Sequence, residues 1–297
     1  MNQKTMKKKS ELLALAGAFL TEENKAKRVG ILLKAEKILA GASFKNKKQF
    51  LEFCGVSYFA SINSSQKIAK GKKENYNSLI LYLSASKNAG VELCSFASAG
   101  CRLACLVGAG HALLEKRAGK LTIARARVVK SWVCHFRADL ARAILQAEII
   151  TAQKSAQRAG ASFCVRLNGT SDISWNELIE KNPDIQFYDY TKNPERQPRK
   201  NYHLTFSYSM RARLTHYKQA LCNGLNLAVP IIKADFDKCL QLAKTFDADI
   251  TDLRFLDKQR AGFALLRAKT TENSEAGEQY SFLLNFKQFK KLHSALV

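Results

Sequence analysis

An α/β fold is predicted, a complete or partial βα barrel-like domain preceded by a basic helical amino-terminal region. Three observations predict it. Short apolar runs alternate with helix-patterned stretches from residue 78 onward, a lysine-rich helical segment precedes them, and polar residues gather where the apolar runs end. The division falls between a helical region with its linker, residues 1–77, and a barrel-like domain, residues 78–297.

Taken in order, the amino-terminal segment carries the lysine runs KKK at 7–9, KNKK at 45–48 and KGKK at 70–73. Ile31, Leu32, Ala35, Ile38 and Leu39 recur at helical spacing with Lys34 and Lys37 opposite, and Phe50, Phe53 and Phe59 supply bulk for docking. Residues 61–77 read as a linker or exposed loop. The strand candidates follow: SLILYLS from Ser78, FCVRLNG at 163–169, IQFYDYT at 185–191, YHLTFSYS at 202–209, LNLAVPII at 225–232, then ITDLRFL and GFALLRAK. Between the first two lies a proline-free stretch from about Gly119 to Ala159 that reads as one long helix. Its apolar stripe runs through Leu121, Ala124, Val128, Trp132, Phe136, Leu140 and Ile144, with Lys120, Arg127, Lys130 and Arg137 on the other side.

Composition narrows the function. The 48 Lys and Arg against 25 Asp and Glu give a net charge of +23, more than solubility requires. Each phosphate that such a surface neutralises releases condensed counterions, so nucleic acid is the partner class that the charge predicts. Any single lysine run serves equally well as a solvated face. No apolar run reaches the length of a membrane span, and the start MNQKTMKKKS lacks the apolar segment of a secretory signal. Eight cysteines in that context imply a reducing cytoplasm, with thiols serving metals or cores and not disulfides. No obligate protein partner is evident. The sequence lacks G-x-x-x-x-G-K-[ST], G-x-G-x-x-G and G-x-S-x-G, which removes Walker-type ATPase, Rossmann and α/β-hydrolase readings.

The densest chemistry is Cys94, Cys101 and Cys105, spaced C-x6-C-x3-C with small residues between, directly after the first apolar run. Three thiols so placed suit a soft metal or an iron-sulfur cluster, whereas zinc needs a fourth ligand, for which His111 is nearest. The alternative is three reduced thiols packed as small hydrophobes. RLNGTSDISWN at 166–176 offers Asn168, Thr170 and Asp172 to a cofactor or substrate, Asp172 also as a catalytic carboxylate, unless Thr170, Ser171 or Asp172 merely caps the next helix. In FYDYTKNPER at 187–196, Tyr188 and Tyr190 are candidate nucleophiles for a phosphodiester, although they share one strand face where packing competes. Lys120, Arg125, Arg127, Lys192, Arg196 and Arg254 are candidates for phosphate contact. His203 reads as a half-buried strand histidine.

Leu81-YLSASKNAGVELCSFASAGCRLAC, RLNGTSDISW, FYDYTKNPER, YHLTFSYS and TDLRFLD together resemble a family of phage- and plasmid-encoded proteins of largely unassigned function, over most of residues 78–270. That family in turn looks like the radical-SAM-like phage proteins, in which a first strand leads into a three-cysteine loop, followed by an SD turn and an LTKRPER-like strand end. The positions that correspond are Cys94, Cys101 and Cys105, Ser171 with Asp172, and Tyr190 to Arg196. The resemblance implies a cytoplasmic iron-sulfur enzyme of a bacterial host, with a [4Fe-4S] cluster on the three cysteines, S-adenosylmethionine as co-substrate and a partial βα barrel around them. The expected activity is redox or radical modification of nucleic acid. The alternative is a non-redox protein, a replication initiator or other nucleic-acid binder, with structural zinc or no metal and Tyr188 or Tyr190 as nucleophile.

Overall fold

The structure, a computed structural model, describes residues 3–62, 69, 72–105, 110–269 and 282–297. Seven parallel strands form one sheet: β1 (Tyr76–Ile80), β2 (Ser162–Arg166), β3 (Gln186–Thr191), β4 (Tyr202–Ser207), β5 (Leu227–Ile231), β6 (Thr245–Asp247) and β7 (Phe263–Arg267). Their order is β1-β2-β3-β4-β5-β7-β6, with β1 and β6 at the two edges. The fold is therefore α/β with an open sheet, and the complete barrel is not what forms. Both edges are blunted against further pairing. Ser61 closes an antiparallel bridge on β1, its N–H and carbonyl each 2.8 Å from their partners on Ile80, and β6 is only three residues long.

Consecutive order from β1 to β5 has a physical consequence. Right-handed crossovers that always step in the same direction put their connections on one face of the sheet. The main hydrophobic cluster lies on that face, where Val165, Phe187, Leu204, Phe206, Leu227, Val229, Phe263 and Leu265 meet the helices. The alternate residues form a second, smaller cluster, with Cys164 and Tyr188 packed on Leu253 and against Tyr76 and Phe255. The polypeptide from Thr251 to Asp257 thus covers the face that the helices leave bare.

That segment corrects one expectation. ITDLRFL is not a strand; Arg254–Leu256 is a turn of 3₁₀-helix. Its polar side chains find other partners in place of ladder partners: Arg166 Nη1 on the sheet face donates to both Asp252 oxygens at 3.0 and 2.7 Å, and within the segment Arg254 reaches Asp257 at 3.5 Å and the Thr251 carbonyl. The strand in this region is β6, in the polar sequence Thr245-Phe246-Asp247, which carries no apolar signal.

Helices α1 (Gln3–Thr21), α2 (Lys25–Ala40) and α3 (Lys47–Phe53) make up the amino-terminal layer. Leu12, Ala16 and Phe19 supply the buried stripe of α1 at spacings of four and three residues. The expected long helix is two, α6 (Thr122–Phe136) and α7 (Ala138–Arg158), broken at Arg137, whose φ of −138° and ψ of 57° are non-helical. The break is held from outside: Arg137 Nη1 donates to the carbonyls of Leu39 and Ala42 at 3.0 and 3.1 Å, which ties it to the end of α2. Trp132 of α6, fully buried, meets Phe19 edge-to-face at 5.7 Å and donates from Nε1 to the Ala89 carbonyl at 2.8 Å. The basic layer therefore shares a single hydrophobic core with the sheet. Lys130, expected on an outward face, is buried 5.0 Å from the Tyr58 ring, and burial lowers its pKa to about 8 against the pull of Glu148. Glu148 in turn accepts the N–H groups of Phe59 and Ala60 at 2.9 and 2.7 Å, which fixes the segment leading into the Ser61 bridge.

The remaining helices are short: α4 (Ala99–Leu103), α5 (Gly110–Arg117), α8 (Asn176–Glu180), α9 (Leu214–Cys222), α10 (Phe236–Leu240) and α11 (Phe286–Ser294). Among the described residues, no helix is long and apolar enough to cross a membrane.

Candidate functional site

The carboxyl ends of β1 to β4 carry the polar residues that the sequence points to, and Gly169 lets their loops meet. The Gly169 N–H donates to the Leu81 carbonyl at 3.0 Å. A Cβ at this position would stand 2.7 Å from that oxygen and 2.9 Å from Ile80 Cγ2, closer than real side chains approach. Only glycine lets the turn after β2 pass so close to the continuation of β1.

Asn168 builds that turn. Its amide nitrogen donates to the Ile173 carbonyl and Asp189 Oδ2, both at 3.0 Å, and its oxygen accepts from Ser171 Oγ and the Ile173 N–H, also at 3.0 Å. All four hydrogen-bonding positions of the side chain are filled by protein, so it offers nothing to a cofactor. Asp189 also accepts the Asn168 N–H at 2.8 Å and the Tyr202 hydroxyl at 3.1 Å. Burial raises its pKa to about 6, against the opposing pull of Arg166 and the Asn168 donors.

Asp172 joins three segments. Its N–H donates to the Leu93 carbonyl at 2.7 Å, its carboxylate accepts from Thr191 Oγ1 at 3.0 Å and the Lys192 N–H at 2.8 Å, and Arg196 Nη1 forms an ion pair with it at 2.9 Å. The helix-capping alternative does not hold. Helix α8 begins at Asn176 behind Trp175 with no side-chain cap, and Thr170 Oγ1 donates instead to the Leu83 carbonyl at 2.6 Å.

The cysteine loop sits on this platform. Cys94 lies against the turn, with Sγ 4.0 Å from the Thr170 carbonyl and 3.5 Å from the Ser86 N–H, while its own N–H donates to Glu92 at 2.9 Å. Ser98 Oγ accepts the Cys101 N–H at 3.2 Å and starts α4. From the far side, Arg211 Nη1 donates to the Ser95 carbonyl at 2.7 Å and Ser209 Oγ to the Phe96 carbonyl at 3.4 Å, so the loop after β4 clasps the cysteine loop. Burial pushes the Cys94 thiol up to about 12; the Ser86 N–H opposes this, and Asp172, Cys105 and Cys101 add to it. Lys192 directly follows β3 at the same end of the sheet. Burial disfavours its charge, but Cys101, Asp172, Cys94 and Cys105 outweigh burial and raise its pKa. Among the described residues, no three His, Cys, Asp or Glu side chains stand close enough to share a single metal ion. The side chain of His111, in α5, lies outside the described residues.

Other candidates fall elsewhere. Tyr188 is fully buried in the smaller cluster, its hydroxyl 3.4 Å from Asp252, with a pKa that burial raises well above 10. Tyr190 lies beneath the Arg166 guanidinium at 4.7 Å, its pKa raised by burial to about 12. Neither phenol is activated, and Tyr188 has no surface from which to reach a phosphodiester. Arg254 is 1% exposed, and its phosphate role is corrected by its burial beside Asp257. Arg196 is committed to Asp172, and Arg127 is partly buried with Cζ 5.7 Å from the Tyr82 ring. Lys120 is exposed and Arg125 partly so. His203 is partly buried near Arg260, and burial first, then Arg260 and Arg254, lower its pKa to about 4. The sequence reading missed Arg211 and Glu92; Arg211 lies 116 residues from its partner, and no local pattern joins them.

The protein is thus an open parallel α/β protein that displays a three-cysteine loop over the carboxyl ends of its first strands. The Gene product 88 family, a phage-type family, matches residues 59–280, and the chain belongs to it. The match opens at Phe59, where the segment held by Glu148 begins, and leaves out α1 to α3 and α11. Comparison with curated proteins and with solved structures finds no match.

Proposed function

We propose that this protein is an iron-sulfur enzyme of the radical-SAM-like kind that acts on nucleic acid at the carboxyl ends of a partial βα barrel. The carrying observation is that Cys94, Cys101 and Cys105 belong to one loop, which Cys94 seats against the turn after β2 at the strand ends, where working residues of such folds gather. Three thiols in one loop are the donor type that an iron-sulfur cluster takes. A lone ion needs its sulfurs at about 2.3 Å, and no such group of three is present among the described residues.

When bound, such a cluster supplies electrons one at a time. The residues of the chain do the rest. Asp172 and Asn168 build the turn that seats Cys94 through contacts with protein groups. Arg211 and Ser209 hold the loop from the opposite side. Exposed Arg102, Lys116, Arg117, Lys120, Arg211 and Arg213 border or follow the loop in sequence or in space, and they favour a polyanion there. S-adenosylmethionine is the co-substrate that the likeness implies. The nicking alternative is the weaker, because burial takes Tyr188 out of reach of DNA.

The test is chemical. Anaerobic protein is incubated with reductant, S-adenosylmethionine and mixed DNA and RNA oligonucleotides, whose nucleosides are then weighed by mass spectrometry. A mass change with wild type that Cys101→Ala abolishes is expected. Identical nucleoside masses with wild type and Cys101→Ala would refute an enzymatic role and leave a nucleic-acid binder.

A further inference from the structure

We infer that the bare face of the sheet, beneath the segment from Thr251 to Asp257, is a binding site for a small oxyanion, with Arg166, His203, Thr205 and Arg254 as its donors. The inference stands on this face alone and is independent of the cluster reading.

Strand register brings the donors together. Tyr188 lies opposite His203 and Tyr190 opposite Thr205 across β3 and β4, so the two β4 side chains share a face with the two phenols. Arg166 of β2 lies on that face too, its Cζ 4.7 Å from the Tyr190 ring centre. The covering segment reaches the same place from above. Arg166 holds the Asp252 carboxylate at 2.7 Å, the Arg254 N–H donates to the Asp252 carbonyl at 3.0 Å, and the 3₁₀ turn that begins at Arg254 packs on β4.

These side chains are short of acceptors. Among the described residues, Arg166 Nε, Arg254 Nε and Nη1, His203 Nε2 and Thr205 Oγ1 are buried without a hydrogen-bond partner. Arg166 is 4% exposed, Arg254 1% and Thr205 not at all. His203 Nε2 is a donor, because Arg260 Nη1, which can only donate, faces Nδ1 at 3.5 Å. Against these stands one unmet carboxylate oxygen, Asp257 Oδ2. Arg166 offsets the charge of Asp252 and Arg254 that of Asp257, while Arg260 adds a further positive charge at the edge. Buried donors left unpaired are costly, so a place that gathers several of them favours a ligand rich in acceptors. Phosphate and carboxylate groups are ligands of this kind. The ligand is small, since burial keeps the backbone of a polymer from Arg254, and it enters as the covering segment lifts.

The experiment titrates the full chain with sulfate, as the tetrahedral probe, and with acetate, as the planar one, by calorimetry at an ionic strength held constant with chloride. Wild type is compared with Arg254→Gln, with Thr205→Val, which removes one hydroxyl with little change of shape, and with the surface pair Lys154→Gln and Arg158→Gln. Wild type is expected to bind one of the probes saturably at a single site; sulfate names a phosphate-class ligand and acetate a carboxylate. Arg254→Gln should bind about tenfold more weakly and Thr205→Val several-fold more weakly, with the surface pair like wild type. Where Arg254→Gln does not fold, Thr205→Val decides alone. No saturable binding by wild type overturns the inference and leaves water as the partner of these donors. Affinity unchanged in either folded variant, or weakened equally in the surface pair, overturns it as well. None of these outcomes bears on iron or sulfide content, so the cluster reading stands or falls separately.

Discussion

Gly169 shows how one residue decides whether the site exists. Its missing side chain lets the turn after β2 lie against Leu81, and a methyl group there would meet backbone oxygen at 2.7 Å. Gly169→Ala is expected to destabilise the fold by about 1–3 kcal/mol, the usual cost of overpacking, seen as a lower urea midpoint at unchanged slope. Asp189 supplies a pH test. Its pKa of about 6 lies above the ordinary 3.8, so the folded state binds this proton more readily than the unfolded state. That stabilisation is fully present below pH 3.8 and is lost as pH rises through about 6. Wild type should therefore lose roughly 2–3 kcal/mol relative to Asp189→Asn between pH 4 and 6; urea curves that stay parallel over that interval would refute the assignment. The sequence located Asn168 and Asp172 at the right strand end because polar residues after an apolar run are legible. Their role was not legible, since a side chain satisfied entirely within its own turn looks the same in sequence as one held out for a ligand.

The cysteine loop is an element made by its neighbours. It contains one short helix and owes its position to the turn at Thr170–Asp172 and to the clasp of Arg211 and Ser209. Arg211→Ala is expected to speed iron loss to a chelator several-fold while leaving the thermal midpoint within about 2 °C, as for a surface change of under 0.5 kcal/mol; equal loss rates would show that the clasp is not needed. The break at Arg137 belongs to the same scale. Nothing in the local sequence interrupts the helical pattern, because the carbonyls that stabilise the break belong to Leu39 and Ala42. The ITDLRFL segment misled for the converse reason. Its apolar spacing suits a strand, but Asp252 gains Arg166 on the bare sheet face and Arg254 pairs with Asp257 inside the segment, which a ladder would not give them.

At the scale of the molecule, alternating apolar runs made the α/β class and the parallel sheet legible, whereas closure depends on strand order, which periodicity does not encode. The amino-terminal helices are built into the common core through Phe19 and Trp132. Trp132→Ala is expected to cost about 3–5 kcal/mol, read from denaturant unfolding, and loss of residues 3–53 should be equally disabling. The net charge of +23 belongs to this scale as well. Affinity for single-stranded oligonucleotides should fall steeply and log-linearly with salt, and Lys120→Glu with Arg125→Glu should flatten the slope by about one or two. A slope unaffected by both changes would move the interface elsewhere. The most direct measurement is iron and acid-labile sulfide per chain, with the absorption spectrum, in protein purified without oxygen. Near-stoichiometric cluster with a broad visible band, absent from Cys94→Ala, Cys101→Ala and Cys105→Ala, is the expected result. Wild type that carries neither iron nor sulfide, after anaerobic reconstitution as well, would contradict it.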